Sequence, residues 1–223
     1  MGVDVFEIKL GDEFLMSSLF TVSEIALAQM ALGELSGSNL EILVGGLGLG
    51  FTANKVLANE KVASLLVIEL LDAVIDWHRT GLVPLGEKLT TDVRCHIRQG
   101  DFFELAKQRT GFDMLAPSRR FDAILLDIDH SPEALLDDRS LAFYRPAGLR
   151  QLAINIKAGG MFGLWSNDKP DPIFVDVLKQ AFGNARAEPI VFFNPIQERD
   201  FTQTVYLARH APDTLAQGRD MTS

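Results

Sequence analysis

Residues 40–69 read LEILVGGLGLGFTANKVLANEKVASLLVIE, and this stretch decides the fold. Leu40 to Val44 is apolar throughout, as a strand buried on both faces of a parallel sheet must be. The loop that follows carries Gly45, Gly46, Gly48 and Gly50. Glycine lets a backbone turn sharply and lie against a ligand with no Cβ between them. A helical pattern over Thr52–Ala58 comes next, with its amide-rich start aimed at the same place. A second apolar run ends in Glu69, an acid roughly 20 residues past the loop, where a carboxylate can accept hydrogen bonds from a ribose diol. Strand, glycine loop, helix, strand and acid together predict a nucleoside-binding βαβ unit.

Upstream of this unit, Val5–Leu10 and Phe14–Ser17 flank the turn Gly11-Asp12 and predict a short hairpin. Thr21-Val-Ser-Glu24 has the spacing of a capping box. The helix it opens carries Ile25, Leu27, Ala28, Ala31, Leu32 and Leu35 and stops near Gly37. Downstream, strands and helices alternate: a helix over Leu71–Arg79, strands over Val93–Arg98 and Phe121–Leu126, a helix over Ala147–Ile156 and a strand over Met161–Trp165. A helix starts at Pro172, and Ile190–Phe193 and Thr202–Ala208 close the pattern as two strands with little room between them. Repeated βα units imply a parallel sheet covered by helices on both faces, and the closing pair implies a terminal antiparallel hairpin. The expected fold is therefore α/β: a seven-stranded, mostly parallel, doubly wound, Rossmann-like sheet. Residues 1–38 read as an N-terminal hairpin and capping helix, 39–210 as the nucleoside-binding domain and 211–223 as a flexible tail.

Composition narrows the function. The net charge is −9 over 223 residues, basic residues are scattered, and Arg119-Arg120 is the only adjacent Lys/Arg pair. A surface that tracks phosphates is not expected, so nucleic acid is excluded as a partner. No run of about 18 apolar residues suggests a membrane span, and MGVDVFEIKL does not read as a secretory signal. Cys95 is the only cysteine and reads as a buried structural thiol, which fits a reducing cytoplasm.

In an open α/β sheet, ligands bind outside the carboxyl ends of the strands. Here those ends read Gly45–Gly50, Glu69, Gly100-Asp101, Asp127-Ile-Asp129-His130 and Trp165-Ser-Asn167-Asp168. Taken singly, each has a plain structural explanation. The glycines can serve packing, Glu69 can favour a helix start, and Asp101 can cap a helix over Phe102–Lys107. Polar groups at successive strand tips are far more specific than any one of them.

On these residues the chain resembles the spermidine synthase-like branch of the class I S-adenosylmethionine-dependent methyltransferase superfamily. The similarity covers about residues 40–209 and is carried by GGLGLG, VIEL at 67–70, QGDFFEL at 99–105, FDAILLDIDHSP at 121–132 and AGGMFGLWS at 158–166. The resemblance implies S-adenosyl-L-methionine, or its decarboxylated form, as the donor. It places Gly45, Gly46, Gly48 and Gly50 against the methionyl part, Glu69 and Leu70 at the ribose, and Gly100, Asp101 and Phe102 at the adenine. Asp127 would face the reacting centre, where polyamine synthases use an Asp to orient or deprotonate the attacking amine. Asp129 and His130 are further catalytic candidates, and a histidine with an ordinary pKa near 6.5 can act as a general base or simply bond to backbone.

The chain also departs from that pattern. Polyamine synthases usually carry an Asp inside the glycine loop, near the amine end of an aminopropyl donor, where this chain has Leu47 or Leu49. Their Tyr-His pair before the fold is replaced by Phe14-Leu-Met-Ser-Ser18, and the Gln after their fifth strand by Ser166-Asn167. The DxDH tip is also similar to that of small-molecule O-methyltransferases, some of which hold a divalent metal. The Asn167-Asp168 pair is reversed and about two residues late for that role, and can as well cap a turn. No metal is expected.

The acids Asp127, Asp129, Glu133, Asp137 and Asp138 form either a solvated loop or a mouth that attracts a cationic amine. Phe143, Tyr144 and Trp165 are candidate walls for a small-molecule acceptor, with Asn167 beside them, and one of the three aromatics is expected to touch it. His78 reads as an exposed helix residue. The sequence favours methyl transfer to a small amine or hydroxyl positioned by Asp127, with aminopropyl transfer as the alternative. A nicotinamide dehydrogenase fits less well, because the loop is GxGxG rather than GxGxxG. A binding module with a vestigial pocket is a third reading. A homodimer is open too: the N-terminal hairpin and first helix could be its contact or a lid over the donor.

Overall fold

The computed structural model describes residues 4–211, apart from 109 and 196. Nearly all of the tail expected over 211–223 lies outside them. The sheet strands are β3 (Leu40–Gly45), β4 (Val62–Glu69), β5 (Cys95–Gln99), β6 (Phe121–Leu126), β7 (Ile156–Ser166), β8 (Gly183–Asn194) and β9 (Arg199–His210). Their order is β5-β4-β3-β6-β7-β9-β8, a seven-stranded sheet. It is parallel from β5 through β7, with β9 antiparallel to both β7 and β8. The chain moves outward from β3 to β4 and β5, then returns to β6 on the other side of β3. Gly45 pairs with Ile68 on one side and Leu126 on the other, so the glycine loop springs from this reversal. An open sheet has its crevice at such a point.

The helices are α1 (Val22–Gly33), α2 (Phe51–Leu57), α3 (Asp72–Arg79), α4 (Gly86–Thr91), α5 (Phe102–Lys107), α6 (Pro146–Ala153) and α7 (Pro172–Phe182). Alternate strand residues face opposite layers. Ile42, Val44, Leu65, Val67, Ala123 and Leu125 pack with Leu27, Ala31 and Ala53. Their neighbours Leu43, Leu66, Ile68, Ile124 and Leu126 pack with Phe102, Leu149 and Leu178. Leu27, Ala28, Ala31 and Leu32 of α1, which the sequence groups with the hairpin, pack in the first of these clusters. The hairpin itself, β1 (Glu7–Leu10) with β2 (Glu13–Ser17), is a separate two-stranded sheet. Among the described residues, no helix is long and apolar enough to cross a membrane.

Several boundaries differ from those expected. The terminal strands pair over twelve residues each, well beyond Ile190–Phe193 and Thr202–Ala208. Backbone pairing continues through the polar residues that flank the apolar stretch. α6 ends at Ala153, and Ile156 starts β7 instead of closing the helix. Val93 is exposed, and strand β5 begins only after Arg94 has folded its guanidinium back onto Asp92. α4 has no apolar periodicity to announce it. Only its Leu89 and Gly86 are buried, and Thr90 and Thr91 donate back to the carbonyls of Gly86 and Glu87.

Candidate active site

A cavity of about 700 Å³ opens at the carboxyl ends of the strands, roofed by the β1–β2 hairpin through Ile8, Phe14 and Met16. Its floor is the glycine loop. Gly46 has φ 93°, and a Cβ there would fall onto the carbonyl of Asp127, so only glycine fits. Four of the loop amides are used within the protein. Gly46 N–H donates to Ile68 O at 2.9 Å and Leu47 N–H to Glu69 Oε2 at 2.8 Å. Leu49 N–H points at Met16 Sδ, 3.1 Å away, and Gly50 N–H donates to Leu47 O at 2.8 Å. The loop thus offers a close surface instead of a phosphate cradle.

Two of the four loop glycines do not line the cavity, contrary to expectation. Gly45 lies against the Phe102 ring, 2.6 Å from where its Cβ would stand, and so permits layer packing. Gly50 precedes α2 with φ 89°, crowded by Leu89 and His78. His78 is likewise not exposed. It is fully buried beneath the loop, with Nε2 2.9 Å from Gly48 O. Burial holds its pKa below the ordinary value, so it is neutral and Nε2–H donates to that carbonyl. His78 below and Met16 above therefore grip the loop from two sides.

The strand tips converge on this floor. Glu69 is buried; besides Leu47, it accepts the Leu71 amide on Oε1 at 2.8 Å, which fixes the carboxylate toward the cavity. Leu70 is exposed at the rim, and Gly100 and Phe102 line the next section. Asp101 caps α5, accepting Phe103 N–H at 2.9 Å and Glu104 N–H at 3.1 Å, and still lines the cavity. Asp127 accepts from Thr52 Oγ1 at 2.8 Å. Burial raises its pKa to about 6, opposed by the Thr52 hydrogen bond.

Asp129 lines the cavity but is held from behind. Tyr144 Oη donates to it at 2.7 Å and Leu136 N–H at 2.8 Å, with Ser140 Oγ at 3.3 Å. Burial raises the Asp129 pKa against these bonds. Tyr144 and Phe143 are buried in the aromatic layer and do not line the cavity, so Tyr144 is not positioned as the acceptor wall that the sequence suggests. Of the three aromatics, only Trp165 lines it. His130 lines the rim with Nε2 3.1 Å from Glu13 on the hairpin, and its carbonyl accepts Asn167 N–H at 2.7 Å. Asn167 lines the cavity, with Oδ1 accepting from Gln203 Nε2 at 3.0 Å. Among the described residues, no group of three or more His, Cys, Asp or Glu side chains could hold a metal ion.

The cavity also contains residues that the sequence reading assigned elsewhere or passed over. Thr21 makes no side-chain cap, so the expected capping box is absent. Its fourth residue, Glu24, turns into the cavity instead. Glu24 is 6% exposed. Burial first, and the Asp127 charge second, raise its pKa to about 8. Ser23 Oγ lies 2.8 Å from Glu24 Oε2, 2.6 Å from Gln203 Oε1 and 2.8 Å from Trp165 Nε1. The capping-box spacing hid Glu24, since S/T-x-x-E is satisfied equally by a helix start and by an acid aimed elsewhere. Gln203 comes from the far end of the chain, and only its alternation with buried Val205 and Leu207 marks a strand. No signal in the sequence ties it to Ser23.

No family model matches the sequence, and no curated protein matches it. Solved structures do match. The spermidine synthase from Thermotoga maritima aligns with a TM-score of 0.67 at 16% identity over 90% of this chain and 64% of that one. A spermidine synthase in complex with the transition-state analogue AdoDATO gives 0.68 at 17% identity, with the same two shares. A probable spermidine synthase from Corynebacterium glutamicum ATCC 13032 gives 0.59 at 17% identity over 84% and 63%. The chain thus spans less than two thirds of the length of these neighbours. With the sheet order and terminal hairpin described above, these alignments establish that the chain has the spermidine synthase-like form of the class I methyltransferase fold.

Proposed function

We propose that this protein is a transferase acting on a sulfonium nucleoside of the S-adenosylmethionine type, and that it passes the donor's aminopropyl chain to a small cationic amine. One observation carries the reading: Glu69, Asp101 and Asp127, from three successive strand tips, line one cavity with Gly46 and Gly48. Glu69 suits the ribose hydroxyls and Asp101 the adenine amino group, as the family resemblance implies. The loop's internally used amides suit an uncharged or cationic donor chain better than a phosphate.

The choice of aminopropyl over methyl transfer reverses the preference drawn from sequence, and charge supports it. Glu24, Glu69, Asp101, Asp127, Asp129 and Asp168 line the cavity. Among the described residues, the basic side chains in its lining, Arg139 and His130, are turned to Asp137 and Glu13. A donor carboxylate would meet acids there, whereas a decarboxylated donor would meet its counter-charge. The solved spermidine synthases are consistent with this choice at the level of fold.

The donor supplies a carbon made electrophilic by the adjacent sulfonium. The acceptor nitrogen forms the new C–N bond there. The C–S bond breaks, its electron pair stays on sulfur, and a neutral thioether, 5′-methylthioadenosine, leaves. Asp127 holds the attacking amine in line and takes its proton. Trp165 and the hairpin residues Phe14 and Met16 keep water from the reacting carbon. Mass spectrometry after incubation with decarboxylated S-adenosylmethionine and a linear diamine should show 5′-methylthioadenosine together with an aminopropylated product. S-adenosylhomocysteine formed from the carboxylated donor would establish methyl transfer instead, and no product from either donor would overturn the transferase reading.

A further inference from the structure

The glycine loop lacks an acid, with Leu47 and Leu49 in its place, yet the cavity holds a buried carboxyl from another element. We propose that Glu24, paired with Asp127, is the specificity-determining acid of this site: it takes the primary ammonium of a decarboxylated donor and releases a proton as it does so. This rests on the reading of the cavity as a sulfonium-nucleoside site.

Hydrogen-bond counting supports the pairing. A hydroxyl has one proton to give, yet Ser23 Oγ faces two carbonyl-type oxygens, Glu24 Oε2 and Gln203 Oε1, as well as the Trp165 N–H donor. The arrangement closes when Glu24 is itself protonated. Its O–H then donates to Ser23, Ser23 donates to Gln203, and Gln203 donates to Asn167. Thr52 Oγ1 lies 2.8 Å from Asp127 Oδ2 and 3.4 Å from the Glu24 carbonyl oxygen, so the two acids share a neighbour at one end of the cavity; a neutral carboxyl is what a buried acid beside a second carboxylate favours. The raised pKa of Glu24 agrees with the count.

The surrounding charges leave this pair uncompensated. Asp127 is the charged group that acts on Glu24. Lys157 on β7 is held by Glu41 and Asp122. Arg186 on β8 and Arg209 on β9 bind Glu34, past the opposite end of α1. Arg199 on β9 reaches Gln197, and His130, after β6, reaches Glu13. Lys55 on α2 does not line the cavity. A cation that enters from solvent is therefore the missing counter-charge, and a primary ammonium can bridge both carboxylates with its three donors.

Titration calorimetry of the full chain at pH 7, in two buffers of different ionisation enthalpy, tests this with three ligands: decarboxylated S-adenosylmethionine, S-adenosylmethionine and 5′-methylthioadenosine. The wild type should prefer the decarboxylated donor by at least about tenfold and release close to one proton on binding it. Glu24→Gln should bind that donor about 10- to 100-fold more weakly, with proton release abolished. Its affinity for 5′-methylthioadenosine, which has no amine chain, should stay within about threefold, and this also shows that the variant is folded. Glu24→Asp should recover part of the proton release. A Glu24→Gln variant that keeps the donor preference, or an unchanged proton count, would overturn the assignment while leaving the nucleoside site standing. Failure of all three ligands to bind the wild type would overturn both.

Discussion

The half of the cavity formed by β3, β4 and β5 and the half formed by α1, β7 and β9 are built in opposite ways. In the first, Glu69 is the last residue of its strand and Asp101 lies two residues beyond its own, and each carboxylate is pinned by backbone amides: Glu69 by Leu47 and Leu71, Asp101 by Phe103 and Glu104. In the second, Glu24, Trp165 and Gln203 meet through a single hydroxyl, Ser23, across up to 180 residues of chain. Local pinning fixes each carboxylate in one orientation. The side-chain network accommodates a proton instead. A rigid nucleoside suits the first half, and a charge that arrives and leaves suits the second.

The largest effect should come from the hinge between the halves. Gly46→Ala forces a side chain into a left-handed backbone and onto the carbonyl of Asp127. Strain of that kind costs about 1–3 kcal/mol before any overlap. Donor binding should fall below detection by calorimetry, with a clear drop in Tm. Gly48→Ala carries backbone strain too (φ 48°), but its Cβ meets only the flexible Met16 thioether at 2.5 Å and no backbone, so it should be milder. Equal effects at the two positions would mean that Gly46 is not the hinge.

Asp127→Asn should come next. Removing a proton acceptor at the reacting centre lowers kcat by about 100- to 10,000-fold, and affinity for the decarboxylated donor should fall as well, because Asp127 shares the donor ammonium with Glu24. A variant with wild-type turnover would remove Asp127 from the chemistry. In the wild type, kcat should fall as the pH drops through about 6, the value to which burial raises Asp127, because protonation removes the acceptor. Glu69→Ala should act on the other half: donor Kd rises by about 10- to 100-fold, the worth of hydrogen bonds to a charged group, with kcat less affected. Glu69→Gln retains an acceptor oxygen for one of the two amides and separates loss of charge from loss of loop support. If Glu69→Ala depressed kcat and left Kd unchanged, the proposed division of the cavity would fail.

The same division explains what could be read from the sequence. The sheet, its helices other than α4, and the acids at 69, 101 and 127 follow from local patterns: an apolar run, a glycine turn, then a polar tip. His78 is misread because its neighbours Asp76 and Arg79 are exposed, and the contact that buries it comes from Gly48, thirty residues away. Tyr144 is misplaced for a related reason. A tyrosine beside an acidic loop suggests a wall, but the aromatic layer of Phe103, Phe143 and Phe174 draws its ring inward, and Asp129 satisfies its hydroxyl. Glu24 has a local explanation that is simply wrong, and only the fold brings it to Asp127.

The smallest effect is the most informative about the second half. A Glu24 carboxyl near 4.5 in the unfolded chain and near 8 in the folded one means that the folded protein holds a proton the unfolded chain has lost across that range. Stability must then fall as pH rises through the range. Asp127, raised from 3.8 to about 6, adds the same sign over a lower window. Glu24→Gln keeps a donor for Ser23 but carries no titrating proton. The variant and wild type should therefore melt at similar temperatures near pH 5 and diverge toward pH 8, where the variant should be the more stable by on the order of 5 °C for a domain of this size. Parallel melting curves across pH would mean that Glu24 is solvated and carries its charge at no cost. Divergence that disappears when a cationic donor is present would mean that the strain is relieved by the ligand, as a site trading apo stability for a counter-charge should behave.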